Sequence, residues 1–120
     1  MNRRRPGVVT SVNHPDSRLR GSRYTVPFAT LWDAALRIAH GSRRWVVSHE
    51  DPVAGLIVVE ATSLIFRFVD HVVIRVTLDE NGFTRVDVSS HSRVGFTDFG
   101  KNRRRIIGFL RNLDREIRRR

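Results

Sequence analysis

Four short runs in which apolar and polar residues alternate constrain the fold of this chain more than any other feature. They lie at 44–49, 56–63, 68–78 and 83–92, with links of no more than six residues between them. Alternation with a period of two is typical of β-strands that have one buried and one solvated face. Because such short links cannot cross over a sheet, the four strands are predicted to pair in chain order as an antiparallel meander.

Two segments of helical periodicity flank these strands. Apolar residues recur every three or four positions in 28–40 and again in 102–119. In the second segment they form one stripe: Ile106, Phe109, Leu110, Leu113 and Ile117. A short strand at 23–26 is predicted before the first helix. The order β-α-β-β-β-β-α predicts an α+β fold, an antiparallel β-meander of four to five strands with two helices packed on one face.

A chain of 120 residues is long enough for one domain with its own core. We assign residues 23–120 to a single α+β domain and the polar, basic residues 1–22 to a partly flexible N-terminal arm. The sequence contains no cysteine, which excludes disulfides, thiolate metal ligands and sulfur redox chemistry. Its uncharged stretches are too short to span a bilayer. We therefore expect a soluble, cytoplasmic protein without a membrane partner.

The formal net charge of +10 raises the question of an anionic partner. Lys101 is the one lysine among 22 basic residues, and six arginines lie in 3–5 and 118–120. Without those six, 16 basic residues face 12 acidic ones, a net charge of +4 that is ordinary for a soluble domain. Arginine-rich ends bind polyanions weakly and without sequence readout. Weak, non-specific nucleic-acid binding is therefore an alternative function that ranks below the others.

The link after residue 78 fixes the register of the last two strands. Asp79 to Phe83 fits a three-residue hairpin loop in which Gly82 takes the left-handed conformation. This register places Arg75 opposite Asp87 on the outer face, which is a favourable cross-strand charge pair. A shift by one residue would mix the apolar and polar faces.

Asp70 is the unusual residue of the third strand, because alternation directs its carboxylate to the buried face. The register places Ser92 opposite Asp70, with Ser90 on the same face. A four-residue link places Ala61 opposite Asp70 on the other side, with Ser63 near the end of that strand. A buried carboxylate must be paired or hydrogen-bonded. These residues therefore predict a polar cluster at one end of the buried face.

The last helix is predicted to supply the partners of Asp70. Asn102 and Arg103 fall on its apolar stripe, one turn before Ile106. We predict that Asp70 pairs with Arg103 or Arg93, assisted by Asn102 and a serine. Two interpretations of the cluster stay open. It is either a structural lock between helix and sheet, or a site in which Arg93, Arg103 and backbone amides bind a small anion.

Two histidines raise the question of a metal site. The same register places His71 opposite His91 on the outer face, but no third ligand is evident, and two imidazoles alone make a weak site. We therefore predict no metal and no other cofactor. The sequence also shows no Ser-His-Asp order, Gly-rich phosphate loop or HExxH motif, so a catalytic role is not favoured.

Several segments resemble a known family. Residues 62–70 (Thr-Ser-Leu-Ile-Phe-Arg-Phe-Val-Asp), 92–100 (Ser-Arg-Val-Gly-Phe-Thr-Asp-Phe-Gly) and 102–105, together with Ser90, are similar to domain-of-unknown-function family 1499. The resemblance covers most of the chain. His71 stands where the family usually has a second aspartate. The resemblance implies membership of the family and a shared polar cluster, and it implies no particular activity.

These observations favour an uncharacterised, non-catalytic domain whose polar cluster is structural or binds a small anionic ligand or an acidic protein partner. One alternative is an enzyme or a hydrophobic-ligand binder that uses a pocket between sheet and helices, by analogy with helix-grip folds. The other is the non-specific nucleic-acid binding through the arginine-rich ends.

Overall fold

The computed structural model describes residues 7–64, 67–92 and 100–119. The strands among these residues are β1 (Gly7–Val9), β2 (Ser22–Tyr24), β3 (Trp45–Asp51), β4 (Leu56–Thr62), β5 (Val69–Leu78) and β6 (Thr84–Ser92). Helix α1 spans Phe28–Gly41 and helix α2 spans Lys101–Arg118, and a short 3-10 helix spans Ser17–Leu19.

The strands form one antiparallel sheet in which β3, β4, β5 and β6 pair in chain order. Both β1 and β2 pair with the other edge of β6, β1 along its C-terminal part and β2 along its N-terminal part. The predicted α+β class, a sheet packed against two helices, is confirmed. The described sheet has six strands, more than the four to five predicted, because residues 7–9 form a strand too short to show alternation.

The described part of the region assigned to the arm packs against the rest of the protein. Leu19 is buried in the core. Thr10 contacts β6 twice: its hydroxyl donates to Asp87 Oδ1 at 2.9 Å and accepts the N–H of Val88 at 3.0 Å. Residues 7–22 therefore contribute both a strand and a core side chain, while residues 1–6 lie outside the described part of the chain.

The register of β5 and β6 is the predicted one. Arg75 pairs with Asp87 across the two strands. In the loop, the N–H of Asp79 donates to the carbonyl of Phe83 at 2.8 Å. Gly82 has a φ of 82°, the left-handed conformation that this loop requires.

Helices α1 and α2 pack on the inner face of the sheet and against each other. The apolar stripe predicted for α2 is buried, and Phe109 stacks on Trp45 of β3 with ring centroids 5.9 Å apart. The inner face of the sheet contributes buried aliphatic side chains: Ile57, Val59, Val72, Ile74, Val76, Val86 and Val88. None of the helices in the described ranges is long and apolar enough to cross a membrane.

Tyr24 connects β2 to α2, and its ionisation makes the stability of the fold depend on pH in the alkaline range. Its hydroxyl donates to Asp114 Oδ1 at 3.1 Å. Burial, followed by the nearby Asp114 carboxylate, raises the pKa of Tyr24 from 10.0 to about 12. The folded state therefore holds this proton more tightly than the unfolded state. We expect the resulting stabilisation to be complete below pH 10 and to be lost as the pH rises through about 12.

Ultraviolet absorbance titration of tyrosinate checks this prediction directly, since the sequence contains one tyrosine. Asp114→Asn removes the negative charge and should lower the Tyr24 pKa, whereas Asp51→Asn removes the same charge at the end of β3. Equal pKa values in the two variants would show that Asp114 does not contribute to the shift.

Candidate functional site

The predicted polar cluster exists, and β5 provides its centre. Asp70 lies opposite Ser92 of β6 and Ala61 of β4, as the predicted register requires. The side chain of Asp70 is 0% exposed. Ala61 is buried on the same face of the sheet.

Two cations of α2 neutralise Asp70. Arg105 Nη1 lies 2.9 Å from Asp70 Oδ2, and Lys101 Nζ lies 3.1 Å from the same oxygen. Lys101 and Arg105 are four residues apart, so they project from the same side of the helix. Their side chains are only 21% and 12% exposed, which places both charges at the edge of the core.

The predicted pairing of Asp70 with Arg103 is wrong. Arg103 forms an ion pair with Asp16, in the segment before the 3-10 helix. A helix turns about 100° per residue, so Arg103 points about 200° away from both Lys101 and Arg105. The other predicted partner, Arg93, lies outside the described residues.

Neutral side chains complete the cluster through bonds among themselves. Ser90 Oγ donates to Asn102 Oδ1 at 2.7 Å, and Asn102 Nδ2 donates to Ser92 Oγ at 3.0 Å. Arg105 Nη1 also lies within hydrogen-bond distance of Ser90 Oγ, at 3.1 Å, and of Asn102 Oδ1, at 2.9 Å. All three neutral residues are buried. We call Asp70, Ser90, Ser92, Lys101, Asn102 and Arg105 the Asp70 cluster.

Ser63, which was predicted to join the cluster, has a local role in the β4–β5 link. Its hydroxyl accepts the N–H of Phe68 at 2.9 Å, and its own N–H donates to the carbonyl of Phe68 at 2.8 Å. These two bonds close the base of the hairpin. The structure thus brings together Asp70, Ser90, Ser92 and Asn102 from the predicted set, and it adds Lys101 and Arg105.

One carboxylate oxygen of Asp70 differs from the rest of the cluster. Oδ1 is buried and has no hydrogen-bond partner among the described residues. Both cations contact Oδ2 instead. Lys101 is the member closest to solvent, and its ammonium lies 5.5 Å from the centroid of the Phe68 ring. Lys101 and Arg105 together carry two positive charges, and Asp70 carries one negative charge, so the cluster has one excess positive charge.

The two histidines are opposite each other on β5 and β6, as predicted. The ring of His91 lies against Gly7 of β1, where a Cβ atom would overlap its Cδ2. The imidazole thus occupies the space that the missing side chain of Gly7 leaves open. Residues 7–64, 67–92 and 100–119 contain no group of three histidine, cysteine, aspartate or glutamate side chains that could hold a metal ion.

The space between the helices and the sheet, where a hydrophobic-ligand pocket was hypothesised, is occupied by side chains of the core. Leu31 and Ala35 of α1, Ile106 of α2 and Ile74 of β5 are all fully buried there. In the described part of the protein, this interface is therefore a packed core.

The fold and the cluster together define a class of protein: an α+β domain in which a buried Asp–Lys–Arg network joins the last helix to an antiparallel sheet. A family model described as "Protein of unknown function (DUF1499)" matches residues 2–113. The chain belongs to this family, as its residues had indicated. No curated protein and no solved structure matches the chain.

Sequence reasoning missed Lys101 and Arg105, and the sequence signal for them is only partial. Both lie on one flank of the buried side of α2 that Asn102 and Ile106 define, and Arg103 lies on the other flank. The spacing of four residues indicates that Lys101 and Arg105 share a flank, but it does not indicate that this flank faces Asp70. The prediction chose Arg103 because it assigned that residue to the apolar stripe.

Proposed function

We propose that this chain is a non-catalytic domain that binds an anionic ligand or an acidic protein partner, and that the Asp70 cluster is its structural lock. The main support for the structural lock is that the Asp70 carboxylate is fully buried and that Lys101 and Arg105 both bind it. The absence of cysteine is consistent with action in the cytoplasm, which we also propose.

The chemistry of the cluster supports a structural role. The hydroxyls of Ser90 and Ser92 are hydrogen-bonded to Asn102 in the interior, so neither is placed as a nucleophile beside a general base. The described residues of the cluster instead connect β5, β6 and α2 through short charge-assisted bonds. Such a network specifies where the helix lies on the sheet.

The charge of the protein supports an anionic partner. The formal net charge is +10. An excess of positive charge raises the local concentration of anions and accelerates their association. A bound anion would then stabilise the folded state by mass action.

An anion screen with two proteins tests both parts of the proposal. Phosphate, pyrophosphate and citrate should stabilise the wild type, by about 1.4 kcal/mol at ten times the Kd, with chloride at the same ionic strength as reference. The second protein is the lock variant, in which Asp70→Leu, Lys101→Met and Arg105→Met replace the ion network by apolar side chains. Such replacement is often close to neutral for stability.

We expect the lock variant to fold and to keep the anion-dependent stabilisation, because the lock is structural. A folded lock variant that has lost the stabilisation would show that the Asp70 cluster is itself the binding site. A wild type that no anion stabilises beyond chloride would refute the anion-binding part of the proposal.

A further inference from the structure

A second feature of the surface lies away from the Asp70 cluster, where the C-terminal parts of α1 and α2 meet. A groove of about 890 Å³ opens there, and its lining includes Arg37, Arg43, Arg115, Arg119, Glu116 and Ile38. This volume is within the range of about 300–1,000 Å³ that is typical of small-molecule sites.

The charge of the groove is strongly positive. Among the described residues that line it, four arginines face a single carboxylate, that of Glu116, which forms an ion pair with Arg37. Arg43, Arg115 and Arg119 have no carboxylate partner among the described residues.

Arginines near a helix C-terminus are stabilised by the helix dipole, so part of the positive charge of the groove is compensated by the helix ends. Each helix end carries a partial charge of about −0.5. Two helix ends meet at the groove, so about +2 of the formal +3 is left uncompensated. The positive charge of the groove is therefore larger than the charge that the two helix ends compensate.

We propose that this groove binds a small organic phosphate with at least two anionic groups. This inference rests on the proposed anion-binding function, and it specifies the binding site and the class of ligand. The planar guanidinium groups of Arg43, Arg115 and Arg119 match the oxygens of phosphate in a bidentate manner. A bare inorganic anion would fill a small part of the volume, whereas the half-buried Ile38 offers an apolar contact to the carbon skeleton of a phosphate ester.

Gly41 provides a way to block the groove without changing its charge. It is the last residue of α1 and lines the groove, and a Cβ atom at this position would meet no other atom within 4 Å. Gly41→Phe therefore adds a large side chain at the groove without a clash at its Cβ atom.

Isothermal titration calorimetry with fructose 1,6-bisphosphate as the soluble probe tests the proposal at fixed ionic strength. The groove variant carries Arg43→Gln and Arg115→Gln, and we expect its affinity to fall by about tenfold or more for each lost guanidinium. The matched control carries Arg75→Gln and Arg111→Gln, two exposed arginines outside this groove, and loses the same charge. Its affinity should change by less than about twofold if the effect is local.

The phosphate could belong to a soluble ester or to a lipid headgroup, and a second arm separates these sources. Co-sedimentation with phosphatidylcholine vesicles, with and without phosphatidylinositol 4-phosphate, measures headgroup binding by the same proteins. Sensitivity to the groove variant and to Gly41→Phe, in either arm, supports the groove as the site.

Three outcomes would overturn the inference. Equal losses in the groove and control variants would show non-specific charge attraction, and the broader anion-binding function would stand. Binding that is insensitive to both the groove variant and Gly41→Phe would place the site elsewhere. A wild type that binds neither the bisphosphate nor the vesicles, while phosphate or citrate still stabilises it, would exclude this ligand class alone.

Discussion

Replacing Asp70 by asparagine is expected to lower the free energy of unfolding by about 3 kcal/mol or more, the range found when one partner of a buried ion pair is removed. The reason lies in the two cations that would remain. Lys101 and Arg105 keep their charges, and both are largely shielded from water. The amide of asparagine can accept a hydrogen bond, but it cannot neutralise either charge.

Urea denaturation of the wild type and the variant measures this loss, with the slope of unfolding compared to confirm that both unfold in the same way. Asp114→Asn is the matched control, since the amide oxygen of asparagine can still accept the hydrogen bond of the Tyr24 hydroxyl. Asp114 also contacts an arginine of α2, but the side chains of Asp114 and Arg118 are 42% and 76% exposed. An exposed pair contributes at most about 1 kcal/mol. Equal losses in the two variants would mean that the Asp70 cluster does not hold α2 on the sheet.

The location of Asp70 could be predicted from sequence because a strand has a simple geometry. Alternation fixes the face on which a side chain lies, and the loop at 79–83 fixes the register. Those two rules place Asp70 inward and opposite Ser92, as found. Similar reasoning on a helix is less secure, because an error of one residue rotates a side chain by about 100°.

That difference explains why the carboxylate was predicted and its cations were not. Arg103, Arg104 and Arg105 are identical in type, and the helix phase alone decides which of them reaches Asp70. The apolar stripe from Ile106 onward defines a broad face, and a broad face is compatible with more than one rotation of the helix about its axis. Asn102 was correctly predicted to lie on this face, but which flank of the face meets Asp70 depends on how the helix docks on the sheet.

Short segments and helix–helix junctions were beyond sequence reasoning for other reasons. Residues 7–9 contain too few positions to show a period of two, so the pairing of β1 with β6 has no sequence signature. The arginine-lined groove depends on how the C-terminal parts of α1 and α2 approach each other. No local pattern specifies that distance, although each arginine is visible in the sequence.

The second large effect is expected at Gly55, in the turn between β3 and β4. Gly55 has a φ of 71°, and its carbonyl accepts the N–H of Val76 at 2.8 Å. A Cβ atom at this position would overlap the carbonyl oxygen of Val76. Gly55→Ala therefore combines a left-handed alanine, at about 1 kcal/mol, with a steric conflict of about 1–3 kcal/mol. We expect the free energy of unfolding to fall by about 3 kcal/mol.

Gly82→Ala separates the two contributions to this loss. Gly82 has a φ of 82°, close to that of Gly55, but a Cβ atom there would meet nothing within 4 Å. Its replacement should cost only the backbone strain, about 1 kcal/mol. The difference between the two variants in urea denaturation then measures how closely the β3–β4 turn packs on β5 at Val76. A difference near zero would mean that the β3–β4 turn does not pack closely on Val76. The C-terminal part of β5, the strand that carries Asp70, would then lack this contact.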